Sequence, residues 1–94
     1  MAAISKIVMN IKPGRIDDAY KFIDSKSHLV GEIEGLIGMA VAKTGENELT
    51  GIGVYESQDA AEAAAPVSQE VFSEMASLIT SMPERGVFSG MWVS

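Results

Sequence analysis

Two neighbouring stretches decide the fold: GLIGMAVA, residues 35–42, and LTGIGVYES, residues 49–57. A polar segment separates them, and its Gly45 and Asn47 tolerate the backbone conformations of a turn. Both stretches alternate in side-chain size with the period of two that is typical of a β-strand. The pattern therefore predicts a β-hairpin with one bulky face and one nearly bare face.

The two predicted faces of this hairpin carry different side chains. The bulky face holds Ile37, Met39, Val41, Ile52 and Val54. The bare face holds Gly38, Ala40, Ala42, Gly51, Gly53 and Tyr55. A bare face means either that helices pack very close to the sheet or that a cavity lies over it, and the residues leave that choice open.

The rest of the chain supplies a strand and a helix before the hairpin, and a helix and a strand after it. Alternation predicts a first strand over residues 4–12, and apolar spacings of three and four predict a helix over residues 15–30. Ser57 is suited to cap a second helix, which Pro66 should divide into two pieces. Alternation returns in a last strand over residues 87–93.

The order β-α-β-β-α-β predicts an α+β fold of the ferredoxin-like type, with a four-stranded antiparallel sheet and helices on one face. The length of 94 residues predicts a single domain over residues 1–94. Hydrophobic residues make up 47% of this small chain, and the open sheet face should carry many of them. We therefore expect a homodimer that packs sheet face against sheet face.

Composition and charge narrow the classes of function. The net charge is −6 and the seven basic residues are scattered, so no nucleic-acid or membrane partner is expected. No apolar run approaches the length of a membrane helix, and no signal-peptide pattern precedes the first strand. Cysteine is absent, which fits a cytoplasmic location. A single histidine argues against a histidine-based metal site, and we expect neither a metal nor a cofactor.

Three passages of the chain resemble the antibiotic biosynthesis monooxygenase-like proteins: KPGR at residues 12–15, IEGLIG at residues 33–38 and VYESQDAA at residues 54–61. The resemblance implies a dimeric α+β barrel with a small pocket between sheet and helices in each subunit. Members of this family oxidise polycyclic phenols with O₂ and no cofactor, oxidise quinols, or degrade haem. Asn10 matches the asparagine of the haem degraders, but residues 57–82 contain neither histidine nor tryptophan, so haem degradation is not expected.

Six residues are candidates for a site. Asn10 could hold a substrate oxygen and His28 could act as a general base. The simpler alternatives are that Asn10 lies on a solvated or interface edge and that His28 lies on the surface. Tyr20 and Tyr55, with Gly38 and Gly53, could line a pocket for a flat ring, or the tyrosines could simply pack in the core.

Three functions remain open from the sequence. The first is a cofactor-independent monooxygenase that acts on a small aromatic or quinone-like substrate. The second is a non-catalytic binder of a small apolar ligand, and the third is a dimeric structural module. A closed cavity that holds Asn10 or His28 against an apolar wall favours the first, a cavity without converging polar groups favours the second, and direct cover of Gly38, Gly51 and Gly53 by the helices favours the third.

Overall fold

The computed structural model describes residues 2–93. Its strands are β1 (Ala2–Asn10), β2 (Leu36–Gly45), β3 (Glu48–Tyr55) and β4 (Glu84–Gly90), and its helices are α1 (Ile16–Asp24), α2 (Leu29–Glu32), α3 (Gln58–Ala63) and α4 (Ala65–Glu74). The strands form one antiparallel sheet in the order β2-β3-β1-β4. The predicted ferredoxin-like α+β arrangement is confirmed.

The first predicted helix is two helices joined by a tight turn. The break follows α1, where the Ser25 hydroxyl donates a hydrogen bond to the carbonyl of Phe22. The amides of Lys26 and Ser27 then bond to carbonyls three residues back, at Ile23 and Asp24. Serine side chains compete in this way for backbone groups, and bonds to the third residue back tighten the helix until it ends.

The second predicted helix does divide near Pro66, as expected. The Ser57 hydroxyl accepts a hydrogen bond from the amide of Ala60 at 3.1 Å and caps α3. Pro66 lies in the first turn of α4, where its missing N–H leaves no bond unmade. The last strand starts and ends earlier than predicted, because β4 pairs with β1 from Glu84 as far as Gly90, opposite Ala2.

The predicted faces of the hairpin are wrong in one respect. Pairing places Met39 opposite Gly53 and Ala40 opposite Ile52, so each face combines bulky residues of one strand with small residues of the other. The register shift between Lys43 and Gly45, beside the turn, produces this offset, and a second shift lies between Leu36 and Gly38 at the other end of β2. A bulge adds one residue to a strand, and every later side chain then points to the opposite face.

The helices cover one face of the sheet, and the buried side chains between the helices and the sheet form two separate hydrophobic clusters. The larger cluster lies at one end of the central strands, around Met9 and Leu49, and includes Ile11, Ala19, Phe72, Met75, Leu78 and Ile79. The smaller cluster lies at the other end, around Ala3 and Tyr55, and includes Leu36, Ala61 and Ala64. Within residues 2–93, no helix is long and apolar enough to cross a membrane.

Candidate functional site

A cavity of about 270 Å³ lies between the sheet and the helices. Its floor is the middle of the sheet, its first wall is the segment around α2, and its second wall is α4. Met39, on the edge strand β2, lines the cavity with 53% of its surface exposed, so the cavity reaches solvent there. The residues that line the floor and the walls are mainly apolar and include Ile7, Met9, Ile23, Leu29, Val30, Ile33, Val41, Val67, Val71, Phe72 and Met75.

The cavity exists because the two central strands carry small residues between the two core clusters. On the helix-covered face, β1 presents Ser5 between Ala3 and Ile7, and β3 presents Gly51 and Gly53 between the large side chains at its ends. A Cβ at Gly51 would meet nothing closer than 3.7 Å. The glycine-containing part of β3 therefore borders the cavity, and the helices do not pack closely against it.

Two hydroxyl groups converge on the floor of this cavity. The point that a Cβ of Gly53 would occupy lies 2.7 Å from Ser5 Oγ and 3.6 Å from the Tyr55 hydroxyl oxygen. Ser5 is 3% exposed and Tyr55 is 4% exposed, and both line the cavity. Glycine at this position lets both oxygens reach one small region of an otherwise apolar space.

Arg85 determines the direction of the Tyr55 hydroxyl. The Arg85 guanidinium lies over the Tyr55 ring, at 5.7 Å from its centroid, and its Nη2 donates to the tyrosine oxygen at 3.4 Å and to the carbonyl of Ala61 at 2.6 Å. Arginine has no acceptor, so the tyrosine oxygen must accept this bond. The tyrosine hydrogen is then free to donate to a ligand oxygen in the cavity.

The Arg85 guanidinium is also an incompletely paired group inside the protein. Its Nε is buried and has no hydrogen-bond partner among the described residues. Arg85 as a whole is half-buried and does not itself line the cavity, but a cation that has no carboxylate partner among the described residues favours negative charge nearby. The end of the cavity that holds Ser5 and Tyr55 is thus suited to an oxygen that carries or develops negative charge.

The structure brings together only two of the six residues predicted for the site. Gly53 and Tyr55 lie on the cavity wall. Asn10 points to the opposite face of the sheet, because it follows the buried Met9 in an alternating strand, and it is exposed. Gly38 shares that opposite face, since it pairs with Val54.

Tyr20 and His28 also lie outside the cavity wall. Tyr20 is 37% exposed on α1. His28 is exposed at the start of α2, although its neighbours Ser27 and Leu29 line the cavity. Chemistry inside the cavity is therefore not assigned to Asn10, Tyr20, His28 or Gly38.

Sequence reasoning missed Ser5 and the pairing of Arg85 with Tyr55. Ser5 had a usable signal, because it belongs to the same alternating series as Ile7 and Met9 and is the one polar residue among them. Arg85 is a possible anion contact from the sequence, in the turn expected before the last strand or simply solvated there, but no local pattern links it to Tyr55. Residues 2–93 contain no cluster of three or more histidine, cysteine or acidic side chains that could hold a metal ion.

Comparison by sequence does not place the chain. No protein-family model matches it. No curated protein matches it in sequence either.

Comparison by structure does find matches. A protein of unknown function from Nitrosomonas europaea superposes with a TM-score of 0.83 at 15% identity, covering 99% of this chain and 92% of that chain. A protein from Bordetella bronchiseptica, provisionally named an antibiotic biosynthesis monooxygenase, superposes at 0.78 with 17% identity, covering 98% and 100%. SnoaB, a cofactor-independent oxygenase from Streptomyces nogalater, superposes at 0.75 with 14% identity, covering 98% and 95%. The chain therefore has the fold of the antibiotic biosynthesis monooxygenase-like proteins.

Proposed function

We propose that this protein is a small oxygenase that binds a phenol- or quinol-like compound in the cavity and lets it react with O₂ without a cofactor. The observation that carries the proposal is the convergence of the Ser5 and Tyr55 hydroxyls over Gly53, at one end of an apolar cavity. The oxygenase SnoaB, which shares the fold, supports the reaction type.

The geometry suits the chemical demands of such a reaction. A phenol that has lost its proton is electron-rich enough to reduce O₂. A ring C–H bond is then replaced by C=O, so that phenol and O₂ give a quinone and water, with the electrons supplied by the substrate and its two hydrogens carried away in the water. The protein has to hold the ring, exclude bulk water and stabilise the anionic oxygen. Tyr55, with Arg85 behind it, and Ser5 would donate to that oxygen, while the apolar walls hold the ring.

The volume of the cavity limits the size of the substrate. A protein cavity of about 150 Å³ holds a benzene ring. The cavity here has about 270 Å³, which suits one ring with substituents or two fused rings. A compound of three or more fused rings would need part of its surface to project past Met39 into solvent.

A second candidate function is binding of the same class of ligand without turnover. The observation that favours it is the position of Asn10 and His28, the two residues expected to do chemistry, outside the cavity wall. In this case the protein would hold or carry the ligand, and the hydroxyl pair would provide selectivity for a compound with one oxygen.

A thermal-shift screen followed by an O₂-consumption assay tests both candidates. The probes are 2-naphthol, 1,4-naphthoquinol and 1,4-naphthoquinone, with naphthalene as the control that lacks oxygen. A ligand at one hundred times its dissociation constant stabilises the native state by about 2.7 kcal/mol, which shifts the melting temperature by about 14 °C in a domain of this size. Binding with O₂ uptake supports an oxygenase, binding without uptake supports a binder, and no shift with any probe contradicts both.

We also propose that two copies of this chain pair through the open face of the sheet. That face carries Ile4, Val8, Ile52, Val54 and Phe88, and Phe88 is 58% exposed in the single chain. Apolar side chains gathered on one sheet face favour burial against a partner. A second copy supplies a matching apolar face, and a closed two-fold dimer is the commonest way to bury one.

A further inference from the structure

The first wall of the cavity is held to the rest of the molecule by half-buried side chains, of which Val30 and Ile33 pack against the smaller core cluster. Residues 25–34, here called the lid segment, contain no fully buried side chain. Their backbone hydrogen bonds connect them to one another and to the end of α1, with the amide of Val30 bonded to the carbonyl of Ser27 and that of Ile33 to Leu29. Few buried contacts and purely local hydrogen bonds are typical of segments that open at low free-energy cost.

The ends of the lid segment are fixed, in contrast to its middle. At one end, α1 buries Ala19 in the larger core cluster. At the other end, Gly35 has a φ of 80° and its carbonyl accepts a bond from the amide of Glu56 at 2.8 Å. A segment whose two ends are fixed and whose middle makes only half-buried contacts can move away from the cavity as a unit.

One ion pair joins the lid segment to the opposite wall of the cavity. Lys26 Nζ lies 2.8 Å from Glu74 Oε2, at the end of α4. The Lys26 side chain also lines the cavity, and its ammonium lies 5.5 Å from the centroid of the Phe22 ring. Both partners are partly exposed, so the pair contributes at most about 1 kcal/mol and breaks readily.

We propose that the lid segment opens and closes over the cavity, and that the Lys26–Glu74 ion pair is the latch that holds it closed. The half-buried side chains of Leu29, Val30 and Ile33 form the underside of the lid and contact the ligand space. Closure covers one side of the ligand with apolar surface and leaves the opening beside Met39, and opening of the lid enlarges the entrance through which the ligand enters and leaves. The gating of a ligand rests on the proposed function, whereas the opening of the lid does not.

Hydrogen–deuterium exchange of the free protein tests the lid without any ligand. The substitution Glu74→Gln keeps the shape of the side chain and removes the charge, so the amides of Val30 and Ile33 should exchange about 2–5-fold faster. The matched control is Asp18→Asn, which breaks the other exposed ion pair, Arg15 Nε to Asp18 Oδ2 at 2.7 Å, away from the cavity. Equal exchange in wild type and Glu74→Gln, or an equal increase in the control, overturns the latch.

Coupling between the two partners separates a latch from a general loss of stability. Lys26→Met should accelerate exchange at the same amides, and the double variant Lys26→Met/Glu74→Gln should exchange no faster than either single variant. Amides of β3 should be unchanged in all three proteins. Additive effects, or faster exchange in β3 as well, would show a structural contribution and contradict the latch.

Ligand kinetics test gating separately. In stopped-flow fluorescence, 2-naphthol should leave Glu74→Gln several-fold faster than wild type or Asp18→Asn. A high salt concentration should accelerate release from wild type but not from Glu74→Gln, because salt weakens an exposed ion pair. Unchanged release overturns gating. If 2-naphthol does not bind any of the proteins, the proposed function fails, and the exchange experiment alone decides the lid.

Discussion

Gly53 is the residue on which the polar end of the cavity depends. A Cβ there would lie 2.7 Å from Ser5 Oγ and 3.1 Å from Tyr55 Cε2, and real Cβ atoms almost never approach other atoms as closely as the first of these distances. At Gly51, one pair further along the same strand, a Cβ would meet Met9 Cε at an ordinary 3.7 Å. The two glycines therefore form a matched pair of positions on the same cavity floor.

Gly53→Ala should displace the Ser5 hydroxyl and the Tyr55 ring. We expect a loss of about 1–3 kcal/mol in the free energy of unfolding, measured by urea denaturation, because the strand is overpacked. Gly51→Ala should change the same quantity by less than about 0.5 kcal/mol. In Gly53→Ala/Ser5→Ala the closest contact is gone, so part of the loss should be recovered. Equal stabilities of the two single variants would contradict this account of the cavity floor.

Tyr55→Phe should weaken binding of an oxygen-bearing ligand and leave its apolar analogue unaffected. The substitution removes the donor that Arg85 directs into the cavity, and one such hydrogen bond contributes about 1 kcal/mol, or roughly fivefold in the dissociation constant. The measurement is isothermal titration with 2-naphthol and with naphthalene. Equal weakening for both ligands would mean that the ring position, not the hydroxyl, had changed.

At the scale of elements, α3 is a short helix whose beginning is stabilised by one side chain. The Ser57 hydroxyl accepts from the amide of Ala60, and α3 buries Ala61 against the end of the sheet that carries Tyr55. The carbonyl of Ala61 in turn accepts from Arg85. The cap therefore helps to hold the residue that orients the Tyr55 hydroxyl.

Ser57→Ala should lower the free energy of unfolding by about 1 kcal/mol, because a capping hydrogen bond is lost. Ser73→Ala is the control, since the Ser73 hydroxyl donates to the carbonyl of Gln69 within α4 and caps nothing. Urea denaturation measures both. If Ser73→Ala lowers the free energy of unfolding as much as Ser57→Ala does, the loss does not come from the cap and would follow the removal of any serine hydroxyl.

The elements also show how far sequence reasoning reaches. The order of strands and helices, the Ser57 cap and the division at Pro66 follow from local patterns, and the structure confirms them. The register shift between Lys43 and Gly45 has no local signal, because a bulge depends on which residues the partner strand presents. That single offset exchanges the faces of β2, and it is why Gly38 was expected in the pocket and Met39 was not.

The site was less predictable than the fold for the same reason. Tyr55 and Gly53 share a strand, so alternation alone places them on one face. Ser5 and Arg85 belong to two other strands, and their approach to Tyr55 requires the pairing of β1 with both neighbours. Which strands become neighbours is decided by the topology of the whole sheet, and the pattern of residues within one strand does not reveal it.

At the scale of the whole molecule, the two faces of the sheet have different roles in our proposal. The covered face encloses the cavity, and the open face presents Ile52 and Phe88 to solvent in the single chain. Lys6 lies between them in the sheet. Glu84 and Glu48, which pair with Val8 and Asn10, share this face, so a partner that covers it would have to accommodate these charges beside an apolar surface.

Ile52→Lys should prevent pairing of two chains, because it places a second ammonium beside Lys6 on the proposed interface. Ala63→Lys, an exposed position on α3, is the matched control for added charge. Light scattering should give the mass of a dimer for wild type and Ala63→Lys, and the mass of a single chain for Ile52→Lys. A dimer in all three proteins would place the interface elsewhere, and a single-chain wild type would refute the pairing.

The separation of the core into two clusters has an evolutionary consequence. Packing at the two ends of the sheet holds the layers together, so the residues between them, Ser5 and Gly51 among them, are under less demand from stability. Substitutions at these positions change the shape and polarity of the cavity, while the free energy of unfolding stays high enough for the protein to remain folded. A chain built in this way can change the shape and polarity of its cavity over generations while the rest of the fold stays the same.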